Sequence, residues 1–164
     1  MAAGVGVEAM NIFAIDPGNE QSAYVLFDSL TPKILLKGKC YNEEIFPLLL
    51  REPIHHAAIE MIASNGMPVG KEVFETCLWV GRYVQRCVDL KIPYELVYRK
   101  DEKMVLCQSM RARDSNIRQA LIDRFGAPGT KKAPGFTYGV SNDIWQALAV
   151  AVTFCEIEGI RIGG

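Results

Sequence analysis

The sequence has only two histidines and no closely spaced pair of cysteines. Its two histidines, His55 and His56, are adjacent, and neither has ligand spacing to another histidine or to a cysteine. The five cysteines are odd in number and include no C-x-x-C pair, so neither a zinc site nor a disulfide framework is indicated. We therefore expect reduced thiols, as in a cytoplasmic protein.

Long apolar runs are also missing. No stretch approaches the length needed to cross a bilayer, and the N-terminus lacks a basic region followed by an apolar stretch and a cleavage site. We therefore predict a cytoplasmic protein without membrane association. The length of 164 residues is enough for one domain with a full core. Residues 1–9 are predicted to be a flexible leader, and residues 10–164 a single domain.

The net charge is only −1, but the charge is unevenly distributed. Residues 99–132 contain nine basic and four acidic side chains, a charge of +5, which leaves −6 on the rest of the chain. This basic third is compatible with a polyanionic partner, although a run of charge is also typical of a solvated face.

A short apolar strand that ends in an acid is the first informative motif. Residues 11–15 are mostly apolar, Asp16 follows them, and residues 17–19 (PGN) have the composition of a turn. Asp16 is either a turn residue that bonds to nearby backbone or a functional carboxylate at the end of a strand. Only other groups converging on Asp16 would favour the second interpretation.

The rest of the chain alternates between strand and helix patterns. Three consecutive strands with short links predict an antiparallel meander, and later strands are separated by helical segments. After the first strand, further strands are predicted at residues 22–28, 33–39, 56–62 and 94–98, and helices at residues 43–51, 71–90, 116–125 and 143–158.

Two further acids stand out. Glu60 lies inside a short apolar strand, where a charge is costly to desolvate unless it is paired or bound to a metal. Asp143 opens the last helix, where an acid commonly serves as a cap or a partner for the helix dipole. If the fourth strand lies parallel beside the first, Asp16 and Glu60 become neighbours, and the last helix can bring Asp143 to them. Three carboxylates in one cleft would repel each other unless cations neutralise them.

Three segments together resemble the active-site segments of RuvC-type Holliday junction resolvases, in the ribonuclease H-like superfamily. They are residues 14–18 (AIDPG), 58–61 (AIEM) and 142–151 (NDIWQALAVA), while residues 113–121 (RDSNIRQAL) resemble a segment of phage and prophage members. The resemblance covers residues 11–154. It implies an α/β, ribonuclease H-like fold with a five-stranded mixed sheet, in strand order 3-2-1-4-5, flanked by helices.

The resemblance also implies an activity. It implies a homodimeric crossover junction endodeoxyribonuclease that cleaves branched DNA with two Mg²⁺ ions, for which Mn²⁺ can substitute, in the host cytoplasm if phage-encoded. Asp16 would bridge the two ions, Glu60 would hold one, and Asp143 the other. Bacterial RuvC proteins carry a fourth acid three residues after the first acid of the last helix. Here that position is Gln146, an uncharged candidate ligand that would bind the second ion more weakly, and Asp114 is a candidate substitute for the missing acid.

The basic third then has a role in binding DNA. Its cations would neutralise phosphates and give affinity without sequence information, and the candidates are Arg111, Arg113, Arg118, Lys131 and Lys132. Met67 and Phe74 are candidates for packing against unstacked bases at a branch point, although core packing is favoured for Phe74. The wide apolar face of the helix at residues 71–90 suits a sheet and also a partner subunit.

Other functions remain open. A phosphotransferase of the actin and sugar-kinase kind shares this topology but needs a second, similar domain, which 164 residues do not hold. A structure-selective DNA-binding protein with weak or no cleavage would account for Gln146, although idle buried carboxylates are costly. A nuclease for flaps, replication forks or RNA–DNA hybrids is a closer alternative that the sequence does not separate from a junction resolvase.

Overall fold

The computed structural model describes residues 9–163. The predicted leader, apart from Ala9, lies outside these residues. The strands and helices follow each other in the predicted order, with one additional helix. They are β1 (Asn11–Asp16), β2 (Gln21–Asp28), β3 (Lys33–Tyr41), a 3-10 turn (Asn42–Glu44), α1 (Ile45–Arg51), β4 (His56–Met61), α2 (Lys71–Asp89), β5 (Tyr94–Tyr98), α3 (Arg99–Cys107), α4 (Asp114–Phe125) and α5 (Ile144–Ile157).

The additional helix, α3, is not predicted by the sequence. Its first five residues, 99–103, are all charged, which is typical of a solvated segment, and the helix has only nine residues in which to show a period. The structure places it directly after β5, with Glu102 as its fully buried residue. The basic third therefore contains an element that packs inward.

The five strands form one mixed sheet in the order β3-β2-β1-β4-β5, which confirms the expected topology. β1 pairs antiparallel with β2 and parallel with β4, and the parallel register places Ile15 opposite Ile59. Asp16 and Glu60 each follow one of these residues, so they lie at the same edge of the sheet. Because side chains alternate between faces along a strand, both acids lie on the face that carries Ala14 and Ala58.

Helix α5 covers that face of the sheet. All residues from 147 to 155 are buried, and they pack against Ala14, Ala23 and Ala58. Small side chains on the sheet let a helix approach closely, and close packing fixes its position. The N-terminal end of α5 is thereby held beside the strand ends that carry the acids.

Helices α1 and α2 cover the opposite face. Phe13 and Ile15 of β1 pack there with Leu48 of α1 and with Val80 and Tyr83 of α2. This second core holds the central strand from the opposite face, so Asp16 at its end cannot shift without disturbing packed side chains. Among residues 9–163, no helix combines the length and the apolar character required to cross a bilayer.

Candidate active site

The turn that follows Asp16 is held by backbone contacts and buried polar bonds. Gly18 is required there, because a Cβ at this position would lie 2.3 Å from the carbonyl oxygen of Gln21. Asn42 Nδ2 donates to the carbonyl oxygen of Gly18 at 2.9 Å, and Ser22 Oγ donates to Asn42 Oδ1 at 2.6 Å. Within the described part of the chain, the Asp16 carboxyl makes no hydrogen bond to this turn, which disfavours its interpretation as a turn residue.

The carboxyl groups of Asp16 and Glu60 are largely buried, and they lie close enough for the charge of Glu60 to act on Asp16. Burial, followed by the charge of Glu60, raises the pKa of Asp16 to about 9. Burial, followed by the charge of Glu102, raises the pKa of Glu60 to about 7. Near neutral pH the pair therefore retains a proton in the absence of a cation. A divalent cation can take the place of that proton and relieve the repulsion.

Helix α3 adds two ionic groups, Arg99 and Glu102, that the sequence does not mark as part of this site. Arg99 Nη1 lies 3.7 Å from both Glu60 Oε1 and Glu102 Oε2, and Arg99 Nη2 lies 2.5 Å from Asp114 Oδ1. Burial raises the pKa of Glu102 to about 8, although Arg99 opposes the shift. One guanidinium is thus shared among three acids, and it cannot fully neutralise them.

Gln146 connects the acids of two different elements. It lies in the first turn of α5, and its Nε2 donates to Glu102 Oε2 at 2.6 Å and to Glu60 Oε1 at 3.4 Å. The position of the candidate fourth ligand is therefore occupied by an amide that is fixed between two glutamates.

Asp143 lies at the rim of the same site. Its side chain is 54% exposed, and Oδ2 accepts a hydrogen bond at 2.5 Å from Nζ of Lys39, which is in β3. Asp143 occupies the N-cap position of α5 but makes no side-chain capping bond, so the capping interpretation is not supported. Its charge is instead balanced by a lysine from a distant strand.

The predicted acids converge on one cavity of about 150 Å³. Its lining combines acids with cations and one aromatic ring, and consists of Asp16, Glu60, Arg99, Asp114, Ile117, Arg118, Asn142, Asp143, Trp145 and Gln146. Within residues 9–163, no three histidine, cysteine, aspartate or glutamate side chains are grouped closely enough to hold a metal ion together. Asp114, the candidate substitute, lines the cavity, but its side chain is 79% exposed and pairs with Arg99.

The donors nevertheless fit a hard divalent cation in their chemistry. All the candidate ligand atoms are carboxylate or amide oxygens, which Mg²⁺ and Mn²⁺ prefer. Asp16 and Glu60 lie close together, and Arg99 is the positive charge near them, so both could bind one cation. Asp143 would join them only after leaving Lys39.

The predicted phosphate-binding residues are exposed, and one of them reaches the cavity. Arg118 lines the cavity, and its guanidinium lies 5.0 Å from the ring centroid of Trp145. Arg111 and Arg113 are exposed just before α4. Lys131 and Lys132 are exposed on a tight loop that is closed by a bridge between Gly129 and Pro134, and they do not line the cavity.

Phe74 is 61% exposed, so the favoured prediction of core packing is wrong. The buried stripe of α2 runs through Thr76, Val80, Tyr83 and Cys87, and Phe74 lies two positions from that stripe, on the far side of the helix. Met67, in the loop before α2, is 69% exposed. Both candidates for contact with DNA bases are therefore accessible.

The sheet order and the helix across its face define the class of fold, an α/β fold with a five-stranded mixed sheet that the chain shares with RuvC. RuvC from Thermus thermophilus, solved in complex with a Holliday junction substrate, is similar with a TM-score of 0.70 and 15% identity, over 93% of this chain and 98% of RuvC. A second structure of that RuvC gives a TM-score of 0.71 at 15% identity, over 93% and 99% of the two chains.

A eukaryotic protein shares the fold as well. The yeast mitochondrial Holliday junction resolvase Ydc2 is similar with a TM-score of 0.62 and 10% identity, over 92% of this chain and 81% of Ydc2. No family model matches the sequence, and no curated protein matches it. The resemblance inferred from the three motifs is therefore confirmed as a likeness of fold.

Proposed function

We propose that this protein is a divalent-metal-dependent endonuclease that cleaves Holliday junctions or other branched DNA. The observation that carries the proposal is the convergence of Asp16, Glu60, Asp143 and Gln146 on one cavity of a RuvC fold. The similar proteins support the substrate class, since one was solved with a Holliday junction and another is a Holliday junction resolvase.

Two Mg²⁺ ions, or Mn²⁺ in their place, are proposed to bind Asp16, Glu60 and Asp143, with the carbonyl oxygen of Gln146 as a weaker ligand. Bound there, the ions supply Lewis-acid activation of water and neutralise charge on the phosphate. Hydrolysis forms a bond from the water oxygen to phosphorus and breaks the bond from phosphorus to O3′, which leaves as a hydroxyl. The side chains of the cavity need only hold the cations and orient the phosphate between them.

The exposed cations are proposed to hold the DNA backbone. Arg118 lies at the cavity, where it can contact a phosphate close to the cut, and the other candidates, Arg111, Arg113, Lys131 and Lys132, contact phosphates further away. Met67 and Phe74 offer exposed apolar surface to bases that lose their stacking at a branch point.

A homodimer follows from the same proposal, because symmetric cleavage of a four-way junction requires two sites. Helix α2 carries two further exposed apolar side chains, Leu78 and Val88, on the side opposite its buried stripe. Leu78→Glu should convert a dimer to monomers, as measured by light scattering after gel filtration. Leu50→Glu is the matched control, since Leu50 of α1 is 68% exposed and Leu78 is 67% exposed. Equal masses for wild type and Leu78→Glu would remove α2 as the interface.

The central test is cleavage of a labelled four-way junction, with a linear duplex and a flap as controls, in Mg²⁺ and in Mn²⁺. Wild type should make paired symmetric nicks, and Asp16→Asn should bind the junction without cutting it. Glu95→Gln removes an exposed acid of β5 outside the cavity and should cut like wild type. Absence of cleavage of any branched DNA by wild type in either metal would refute the nuclease.

A second candidate function is favoured by two observations at the site. Gln146 occupies the place of an acid, and Asp143 is bound to Lys39. Both would suit a structure-selective DNA-binding protein with weak or no cleavage. Tight junction binding by wild type without nicks at high Mn²⁺ would establish this alternative. No observation favours the phosphotransferase.

A further inference from the structure

Glu102 is a buried acid that the proposed chemistry does not use. It is fully buried, and its Oε2 accepts a hydrogen bond from Nε2 of Gln146 at 2.6 Å. Its Oε1 has no hydrogen-bond partner among the described residues. Its other partner is Arg99, whose Nη1 lies 3.7 Å from Oε2 and is shared with Glu60. Burying a carboxyl with so few partners is unfavourable. The contact with Gln146 is therefore the feature of Glu102 that calls for an explanation.

The surroundings of the Gln146 amide determine which of its two ends faces the glutamates. The amide nitrogen has two hydrogens to donate, whereas the amide oxygen can only accept. In the structure the nitrogen faces Glu60 and Glu102 and donates to both. The oxygen of the amide, Oε1, is then left for a ligand in the cavity that Gln146 lines.

We infer that Glu102 is a positioning residue that fixes the amide of Gln146 so that Oε1 is offered to a divalent cation. The inference rests on the proposed function, because it concerns a ligand of the same cation site. Glu102 lies behind Gln146 and does not itself line the cavity. An amide that was free to turn would also present its nitrogen to the cation, and a nitrogen that only donates cannot ligate it.

A purely structural role is the competing explanation, in which the pair simply links α3 to α5. The two explanations predict different effects on Mn²⁺ binding when the acceptor oxygen of Glu102 is removed and when it is retained without the charge. Glu102→Met removes the acceptor but keeps a similar volume, whereas Glu102→Gln keeps an acceptor oxygen without the charge. Gln146→Met removes the proposed ligand itself.

The test is binding of Mn²⁺, with the free ion measured by electron paramagnetic resonance. Glu102→Met should weaken binding by about tenfold or more, as is common when the group that orients a metal ligand is lost. Glu102→Gln should restore most of the affinity. In a Gln146→Met background, Glu102→Met should cause no further loss, because its effect passes through Gln146. Equal losses in both backgrounds, or Glu102→Gln as weak as Glu102→Met, would overturn the inference.

A second measurement uses the wild-type chain, so it does not depend on whether Glu102→Met folds. The side-chain amide carbon of Gln146 is identified in the NMR spectrum as the signal absent from Gln146→Met. Addition of Mg²⁺ should shift this signal, because Oε1 becomes a ligand. A signal that does not move at saturating Mg²⁺ would refute the inference.

The outcomes separate this inference from the proposed function. Wild type that binds no Mn²⁺ would remove both. Wild type whose Mn²⁺ binding is lost in Asp16→Asn but unchanged in Glu102→Met would retain the proposed cation site and remove the role of Glu102.

Discussion

The acids on the inner and outer sides of the cavity differ in how their negative charge is balanced. On the inner side, Asp16, Glu60 and Glu102 are buried, and they share one arginine, Arg99, which also pairs with Asp114. Their pKa values are raised because burial and mutual repulsion outweigh that single positive charge. These acids lack a counter-charge of their own.

On the outer side, Asp143 is half exposed and has a lysine to itself, Lys39. Water and Lys39 together stabilise the negative charge of Asp143, so a divalent cation would stabilise it little further. The sequence presents the acids of the two sides as equivalent ligands. In the structure the inner acids share one arginine, whereas a cation that binds Asp143 has to displace Lys39.

The largest expected effect comes from replacing one acid on each side. Asp16→Asn should reduce junction cleavage by about 10³-fold or more, because the amide brings no negative charge that could hold a cation at this largely buried position. Asp143→Asn should cost only about 10- to 100-fold, because water can enter at an exposed position and high Mn²⁺ can recover part of the loss. Single-turnover cleavage rates give both values. Equal losses would show that the two sides do not differ in function.

The next effect is on stability as a function of pH. Folding raises the pKa of the inner acids from 3.8 for Asp16 and 4.5 for Glu60 and Glu102 to about 9, 7 and 8. The folded state therefore binds more protons than the unfolded state. The stability that these acids contribute is fully present below about pH 4 and is lost as the pH rises through 7 to 9.

Urea unfolding at about pH 6 and about pH 8.5, with and without Mg²⁺, measures this dependence. Without Mg²⁺ the free energy of unfolding should fall between the two pH values, and with Mg²⁺ it should fall less, because the cation replaces the protons. Glu60→Gln should reduce the dependence strongly, whereas Asp143→Asn should reduce it less, because Asp143 is a smaller cause of the raised pKa of Asp16 than burial and Glu60 are. A metal-free stability that is constant across this range would contradict the account of the inner side.

The smallest effect should come from the outer side. Lys39→Met removes the competitor for Asp143 and should strengthen Mn²⁺ binding by about three- to tenfold, while changing stability by less than about 1 kcal/mol, as for other exposed ion pairs. Calorimetric titration with Mn²⁺ gives the affinity. Lys33→Met, which removes an exposed lysine from the other end of the same strand, is the control. Weaker Mn²⁺ binding in Lys39→Met would show that Lys39 supports the cation site.

The fold could be predicted from sequence because its strands are marked locally. Asp16 ends an apolar run and is followed by the turn residues 17–19, whereas Glu60 interrupts a second apolar run. The strand β5 begins directly after Pro93. The parallel pairing of β1 with β4 then follows from the resemblance, and the structure has it. The three predicted acids do reach one cavity, although their role as ligands remains a prediction.

What could not be predicted depends on contacts between distant segments. The sequence marks Arg99 and Glu102 only as members of a charged run. Nothing local shows that Glu102 is buried or that Arg99 lies beside three acids. The pairing of Lys39 with Asp143 joins β3 to α5 and leaves no trace in either segment. A spacing of three between Arg99 and Glu102, followed by apolar residues, was the available signal for α3.

The position of α5 also has a consequence for the order of events during synthesis. Asp16 is made early, but Asp143 and Gln146, which complete the cavity, lie late in the chain. The same helix supplies the buried cover of one whole face of the sheet. A nascent chain that ends before α5 therefore has neither a finished core nor a finished cavity. The core and the cavity are therefore completed in the same step, when α5 packs on the sheet.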